Sequence, residues 1–225
     1  SNTGLPVNVS VNTLAEGNGS VYAGTWGDGI YESTDSGSSW SAVNSGLPLN
    51  SFISSLFVSG TTVFAGALGN GIQGLFTLNT GLGTWSQQTS GLPTSVGVSS
   101  FAVSGNTIFA GTDYDGIYTS TNSGTSWSSS SNGIINTVRI FSLFTIGSDV
   151  FAGTSNGIYL TNNMGVLWTT QNIGLSPNTN VVDFASDGAF LYAAANTGLW
   201  KVQLLSLPLS LNEFEKIIDI VLYPN

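Results

Sequence analysis

A short string returns along this chain at nearly constant spacing, five copies in all, and leaves few folds open to it. Val21-Tyr22-Ala23-Gly24 recurs as Val63-Phe64-Ala65-Gly66, Ile108-Phe109-Ala110-Gly111, Val150-Phe151-Ala152-Gly153 and, weakened, Leu191-Tyr192-Ala193-Ala194, at intervals of 42, 45, 42 and 41 residues. A second marker moves in step: Gly4-Leu5-Pro6, Gly46-Leu47-Pro48, Gly91-Leu92-Pro93, Gly133-Ile134 and Gly174-Leu175. Nine residues before each alanine of the first marker stands a large apolar residue (Leu14, Leu56, Phe101, Leu143, Phe184), and three before that a β-branched one (Val11, Ile53, Val98, Ile140, Val181). This framework reads as a strand facing the core. After the Ala-Gly strand comes a turn pair (Asp28-Gly29, Asn70-Gly71, Asp115-Gly116, Asn156-Gly157, Thr197-Gly198). Asx-Gly between two strand-like runs marks a hairpin, because both residues tolerate positive φ.

Each unit therefore reads as four strands, a to d, in an up-and-down meander. A period of roughly 40 to 45 residues with four short strands is that of a propeller blade. The expected fold is all-β, an up-and-down β-propeller of about five four-stranded blades or a fragment of a larger one. Its units run over about 4–45, 46–90, 91–132, 133–173 and 174–205, with 206–225 as a linker. No unit carries the 3.6-residue period of a helical repeat. The small Ala-Gly pair lets neighbouring backbone approach closely, as packed blades demand.

Composition removes several functions. Charged residues make up 7% of the chain, and three cations, Arg139, Lys201 and Lys216, stand against twelve acids. No basic patch exists for nucleic acid or anionic lipid, and no run of 18 apolar residues suggests membrane insertion. Cysteine and histidine are absent, which excludes disulfides, thiolate nucleophiles, imidazole bases and the usual zinc sites. Oxygen ligands for a hard cation exist at Asp28, Asp113 and Asp115, but no EF-hand-like spacing accompanies them, so neither a metal nor a cofactor is expected.

Between strands c and d the first unit carries Ser33-Thr34-Asp35-Ser36-Gly37-Ser38-Ser39-Trp40. This resembles the Asp-box, or BNR, repeat of sialidase-like and sortilin-like propellers, with Ser39 in place of threonine. The third unit has Ser120, Asn122, Gly124, Ser126 and Trp127, and the fourth is looser, with Thr161, Asn163, Gly165 and Trp168. The second has one extra residue before Trp85, and the fifth has no box. In such a box the Asx side chain accepts bonds from turn amides, glycine supplies the unusual φ and tryptophan staples the turn to the blade. The resemblance implies that these turns lie opposite the ligand face, so their residues belong to the fold.

Sialidases of this resemblance hold the substrate carboxylate with three arginines, and this chain has Arg139 alone. Other Asp-box propellers hydrolyse glycans with two carboxylates set roughly 5 to 9.5 Å apart. The candidates are Asp28, Asp113 and Asp115, yet Asp28 and Asp115 occupy the turn position that Asn70 and Asn156 fill elsewhere, which is a backbone need. No catalytic residue is assigned. A four-stranded meander gathers the b–c turns and d–a links at one end, where Trp26, Asp28, Asn70, Asp113, Tyr114, Asp115 and Asn156 form the candidate ligand-binding set. Aromatic rings beside Asx groups suit sugars, whose ring stacks while its hydroxyls bond to amides and carboxylates. A glycan or a surface protein is the expected partner, with a glycoside hydrolase as the alternative reading.

The opening Ser1 to Pro6 aligns with Val43 to Pro48, the tail of a strand d. It is expected to complete the last blade, or to follow upstream blades. The closing Val221-Leu222-Tyr223-Pro224-Asn225 resembles the start of the C-terminal sorting domain of type IX secretion cargo in the Bacteroidota. That resemblance implies export through the periplasm to the cell surface or beyond, with the secretion machinery reading the tail.

Overall fold

The computed structural model describes residues 2–68, 73–135, 137–172, 174–204 and 207. These residues contain no α-helix, and their strands form four four-stranded sheets and one of three strands. Sheet 1 runs β1 (Val11–Gly17), β2 (Ser20–Thr25), β3 (Ile30–Ser33) and β4 (Ser41–Ala42), and sheet 2 runs β5 (Phe52–Ser59), β6 (Thr62–Leu68), β7 (Gly74–Asn79) and β8 (Trp85–Gln88). Sheet 3 comprises β9 (Val98–Ser104), β10 (Thr107–Thr112), β11 (Ile117–Ser120) and β12 (Ser128–Ser129). Sheet 4 comprises β13 (Ile140–Ile146), β14 (Asp149–Thr154), β15 (Gly157–Thr161) and β16 (Thr169–Thr170), and sheet 5 comprises β17 (Val181–Ser186), β18 (Phe190–Ala195) and β19 (Gly198–Gln203). In every sheet sequential strands are neighbours, the up-and-down order of a propeller blade. The tail from 208 onward, where the secretion signal is expected, lies outside the described residues.

One register is kept throughout. The marker alanine of the second strand pairs with an aromatic of the third in all five sheets: Ala23 with Tyr31, Ala65 with Phe76, Ala110 with Tyr118, Ala152 with Tyr159 and Ala193 with Trp200. On its other side the alanine faces the large apolar residue nine positions earlier, as Leu14, Leu56, Leu143 and Phe184 do. The three-residue step back to Val11, Ile53, Ile140 and Val181 would put the two side chains on opposite faces of a regular strand. A register shift between those positions in each of the four strands adds a residue and returns both to one face.

The chain divides within β9 into two compact units, Ser1–Ser100 and Phe101–Asn225. In the first, Tyr22 and Ile30 of sheet 1 pack with Ile53, Leu56, Val63 and Ala65 of sheet 2 in one core that Trp85 closes. In the second, Phe109 and Ile117 of sheet 3 meet Ile140 and Leu143 of sheet 4, and Phe151 and Ile158 of sheet 4 meet Val181 and Phe184 of sheet 5. In sheets 1, 3 and 4 the aromatic of the second strand thus lies on the framework residues of the next sheet. Leu14 and Val11 depart from the sequence expectation, being 61% and 43% exposed.

The Gly-Leu-Pro marker has its cause in the same stacking. The backbone amide of Trp85 donates to Ser45 (2.8 Å), that of Trp168 to Asn132 (2.8 Å) and that of Trp40 to Thr3 (2.9 Å). The glycine that follows each acceptor, Gly46, Gly133 and Gly4, has φ near +90° and lies so close to the tryptophan carbonyl that a Cβ would collide with it. The opening residues therefore run beside Trp40 as the end of one blade runs beside the next. Gly66 and Gly153 of the Ala-Gly marker are equally confined, by the carbonyls of Val98 and Val181, which is the close approach expected of them.

Candidate functional site

The strand b–c turns are built by one device in both units. In sheet 1 the Thr25 hydroxyl donates to the Gly29 carbonyl (2.8 Å) and accepts from the Asp28 amide (3.0 Å). In sheet 3 Thr112 makes the same pair of bonds to Gly116 (2.7 Å) and from Asp115 (3.0 Å). Sheet 4 uses a turn one residue shorter, in which Thr154 bonds to Gly157 and accepts from Asn156. Asp28, Asp115 and Asn156 thus place their amides on a threonine hydroxyl, a backbone role that does not require a carboxylate. Asn70, their counterpart in sheet 2, lies outside the described residues.

This equivalence fixes the alignment of the two longer turns. Trp26 matches Asp113, and Tyr114 matches Gly27. Gly27 has φ +110°, a value open to glycine, and Tyr114 adopts φ +118° in the same place. A bulky side chain there costs about 1–3 kcal/mol. The ring gains little burial in return, since Tyr114 is 63% exposed.

The candidate residues fall into two groups, one per unit. In the first unit Trp26, also 63% exposed, bridges Phe52 through the backbone, and the two rings meet edge to face at 5.3 Å. Asp28 is exposed beside it, its carbonyl accepting from the Asn44 side chain (3.2 Å). In the second unit Asp113 forms an ion pair with Arg139, whose guanidinium lies 5.1 Å from the Phe141 ring. The Arg139 backbone amide donates to the Ser155 hydroxyl (3.1 Å), and its carbonyl accepts from the Ser155 amide (3.0 Å). Arg139 therefore ties the Asp113-Tyr114-Asp115 turn to the turn holding Asn156. Its only sequence signal was that it is the sole arginine of the chain.

Each c–d turn carries an internal hydrogen-bond lattice. Ser33 donates to Asp35 (2.8 Å) and accepts from the Gly37 amide (2.8 Å), while Asp35 takes the amide and hydroxyl of Ser39 (2.8 and 2.6 Å). Those bonds, first the Ser39 hydroxyl and then its amide, pull the Asp35 carboxyl down to about 2. Ser120, Asn122 and Gly124 repeat the lattice in sheet 3, and Thr161, Asn163 and Gly165 in sheet 4. Trp85, Trp127 and Trp168 are buried behind their turns and Trp40 is half-buried. Asp187, at the turn between β17 and β18, is likewise held below the usual carboxylate range by the amides of Phe190 and Ala189 and the Tyr192 hydroxyl. Among the described residues no group of three or more His, Cys, Asp and Glu side chains is arranged to hold a metal ion.

No family model matches the chain, and no curated protein does. Solved structures do. The extracellular domain of a putative hybrid two-component system from B. thetaiotaomicron superposes with a TM-score of 0.69 at 19% identity, over 84% of this chain and 26% of that one. YCF48 from Cyanidioschyzon merolae gives 0.63 at 18% identity over 96% and 73%, and the GH74 xyloglucanase from Xanthomonas campestris gives 0.65 at 15% over 87% and 36%. The chain spans about a quarter of the first of these. At such identities the likeness concerns the fold, and the fold is that of β-propeller blades.

Proposed function

We propose that this protein is a secreted or cell-surface β-propeller module that binds a glycan without cleaving it, at the strand b–c turn end of its blades. The observation that carries the reading is Tyr114. Its turn is held by the same threonine bonds as the turn in which Gly27 suffices, so the ring is unnecessary to the fold and strains the backbone that carries it. Strain kept at an exposed aromatic fits a contact made with something outside the chain. Trp26 beside Asp28 and Phe52 offers a second apolar platform in the other unit.

Cleavage is disfavoured by the roles of the carboxylates. Asp28 and Asp115 occupy a position that Asn156 serves equally well, and Asp113 is engaged by Arg139. Asp35 and Asp187 are fastened as anions inside their own turns. We assign the Ser33, Ser120 and Thr161 turns to the Asp-box type, with Trp40, Trp85, Trp127 and Trp168 as their staples. The extracellular neighbour and the tail that resembles a sorting segment support export by the type IX route. Deleting that segment in the native host should strand the protein in the periplasm, and undiminished export would overturn the route.

A glycan array probed with the wild type, Trp26→Ala and Tyr114→Ala tests the binding reading. Binding is expected in the wild type and lost in Tyr114→Ala at an unchanged fold. Binding that survives both substitutions would move the site away from these turns.

A further inference from the structure

The second unit also presents a donor and an acceptor side by side. Nε of Arg139 and Oδ1 of Asp113 are engaged with each other and shut off from solvent. The two side chains nevertheless stay 37% and 26% exposed. Among the described residues neither has another hydrogen-bond partner, so the Nη edge of the guanidinium and the second carboxylate oxygen are the polar atoms left open. Tyr114, 63% exposed, follows Asp113 directly in the same turn.

We infer that this corner reads a pair of hydroxyls on adjacent carbons of a neutral sugar ring; the inference rests on the glycan-binding reading above. One hydroxyl accepts from the Nη edge of Arg139 and its neighbour donates to the open oxygen of Asp113, while the C–H face of the ring lies on Tyr114. A planar guanidinium fixed at Nε holds its remaining donors in a defined direction, which an ammonium cannot do. Bonds to charged groups are the stronger kind. The pair is internally neutral, and Asp115 adds a negative charge beside it in a chain of net charge −9. An acidic sugar would meet repulsion there, so the class is a neutral glycan with a free vicinal diol.

The experiment is a calorimetric titration with the hexamers of β-1,4-glucan, β-1,4-mannan, β-1,4-xylan and α-1,4-galacturonan, and with the bound hexamer methylated at its ring hydroxyls. At least one neutral hexamer should bind. Arg139→Lys should weaken it about tenfold or more, the methylated form should not bind, and hexagalacturonate should bind at least tenfold more weakly. Tyr114-dependent binding that is indifferent to Arg139→Lys and to methylation would overturn the inference and leave the glycan reading intact, as would preference for hexagalacturonate. Absence of Tyr114-dependent binding to every hexamer would overturn both. If Arg139→Lys fails to fold, methylation and the acidic hexamer decide the matter on the wild type alone.

Discussion

Replacing Tyr114 by glycine and by alanine separates what the residue does for the fold from what it costs. Both changes remove the ring, so its partial burial cancels between them. Alanine keeps the strain of a Cβ at φ +118°, and glycine removes it. Relief is worth about 1–3 kcal/mol, from which the extra backbone freedom of an unfolded glycine subtracts about 0.5–1 kcal/mol. Tyr114→Gly should therefore be more stable than Tyr114→Ala by about 0–2.5 kcal/mol, with a centre near 1. The usual preference for alanine over glycine is about 0.5–1 kcal/mol in the other direction. Urea unfolding followed by tryptophan fluorescence resolves such a difference. Alanine clearly more stable than glycine would show that the turn carries no strain, and the argument from Tyr114 to a ligand would fail.

Trp168→Ala empties a buried site, removes the indole bond to the Ser130 carbonyl (2.7 Å) and strips the ring edge facing Phe109. A loss of about 3–5 kcal/mol in chemical denaturation is expected, and a loss below about 1 kcal/mol would mean that this ring is no staple. Asp35 gives the protein an acid sensitivity: its carboxyl falls from 3.8 to about 2 on folding, so its contribution is complete above pH 4 and is lost as pH falls through about 2. Asp35→Asn should flatten the melting temperature over that window while leaving it unchanged in shape above pH 5, and identical profiles for the two proteins would refute the assignment. Trp26→Ala should change stability little, because the ring is largely exposed and meets Phe52 only edge-on; a large drop in melting temperature would make Trp26 a packing residue.

The repeat was legible because it is a register. The alanine of each second strand must face an aromatic on one side and a large aliphatic or aromatic on the other, so three positions recur at fixed offsets. The bulge in each first strand was implicit in the odd three-residue step from Val11 to Leu14 and from Ile53 to Leu56. The exposure of Leu14 was not legible, since its residue type and its register match those of the buried Leu56. At the candidate site the turn residues were found, because Asx-Gly pairs carry their own geometry. The strain at Tyr114 was not legible, since only the threonine bonds of the folded turns reveal that its counterpart is Gly27. The Asp113–Arg139 contact joins positions 26 residues apart, one just after β10 and one just before β13, a tertiary event that local spacing does not encode.

On the function proposed above, the second unit holds a glycan against Tyr114 and releases it whole. Saturation-transfer NMR with the neutral hexamer that binds, followed over a day in one tube, tests binding and cleavage together. Transfer to the C–H face of one sugar ring is expected, with loss of that transfer in Tyr114→Gly and no new reducing-end signals. New anomeric signals that grow with time, or transfer undiminished in Tyr114→Gly, would contradict it.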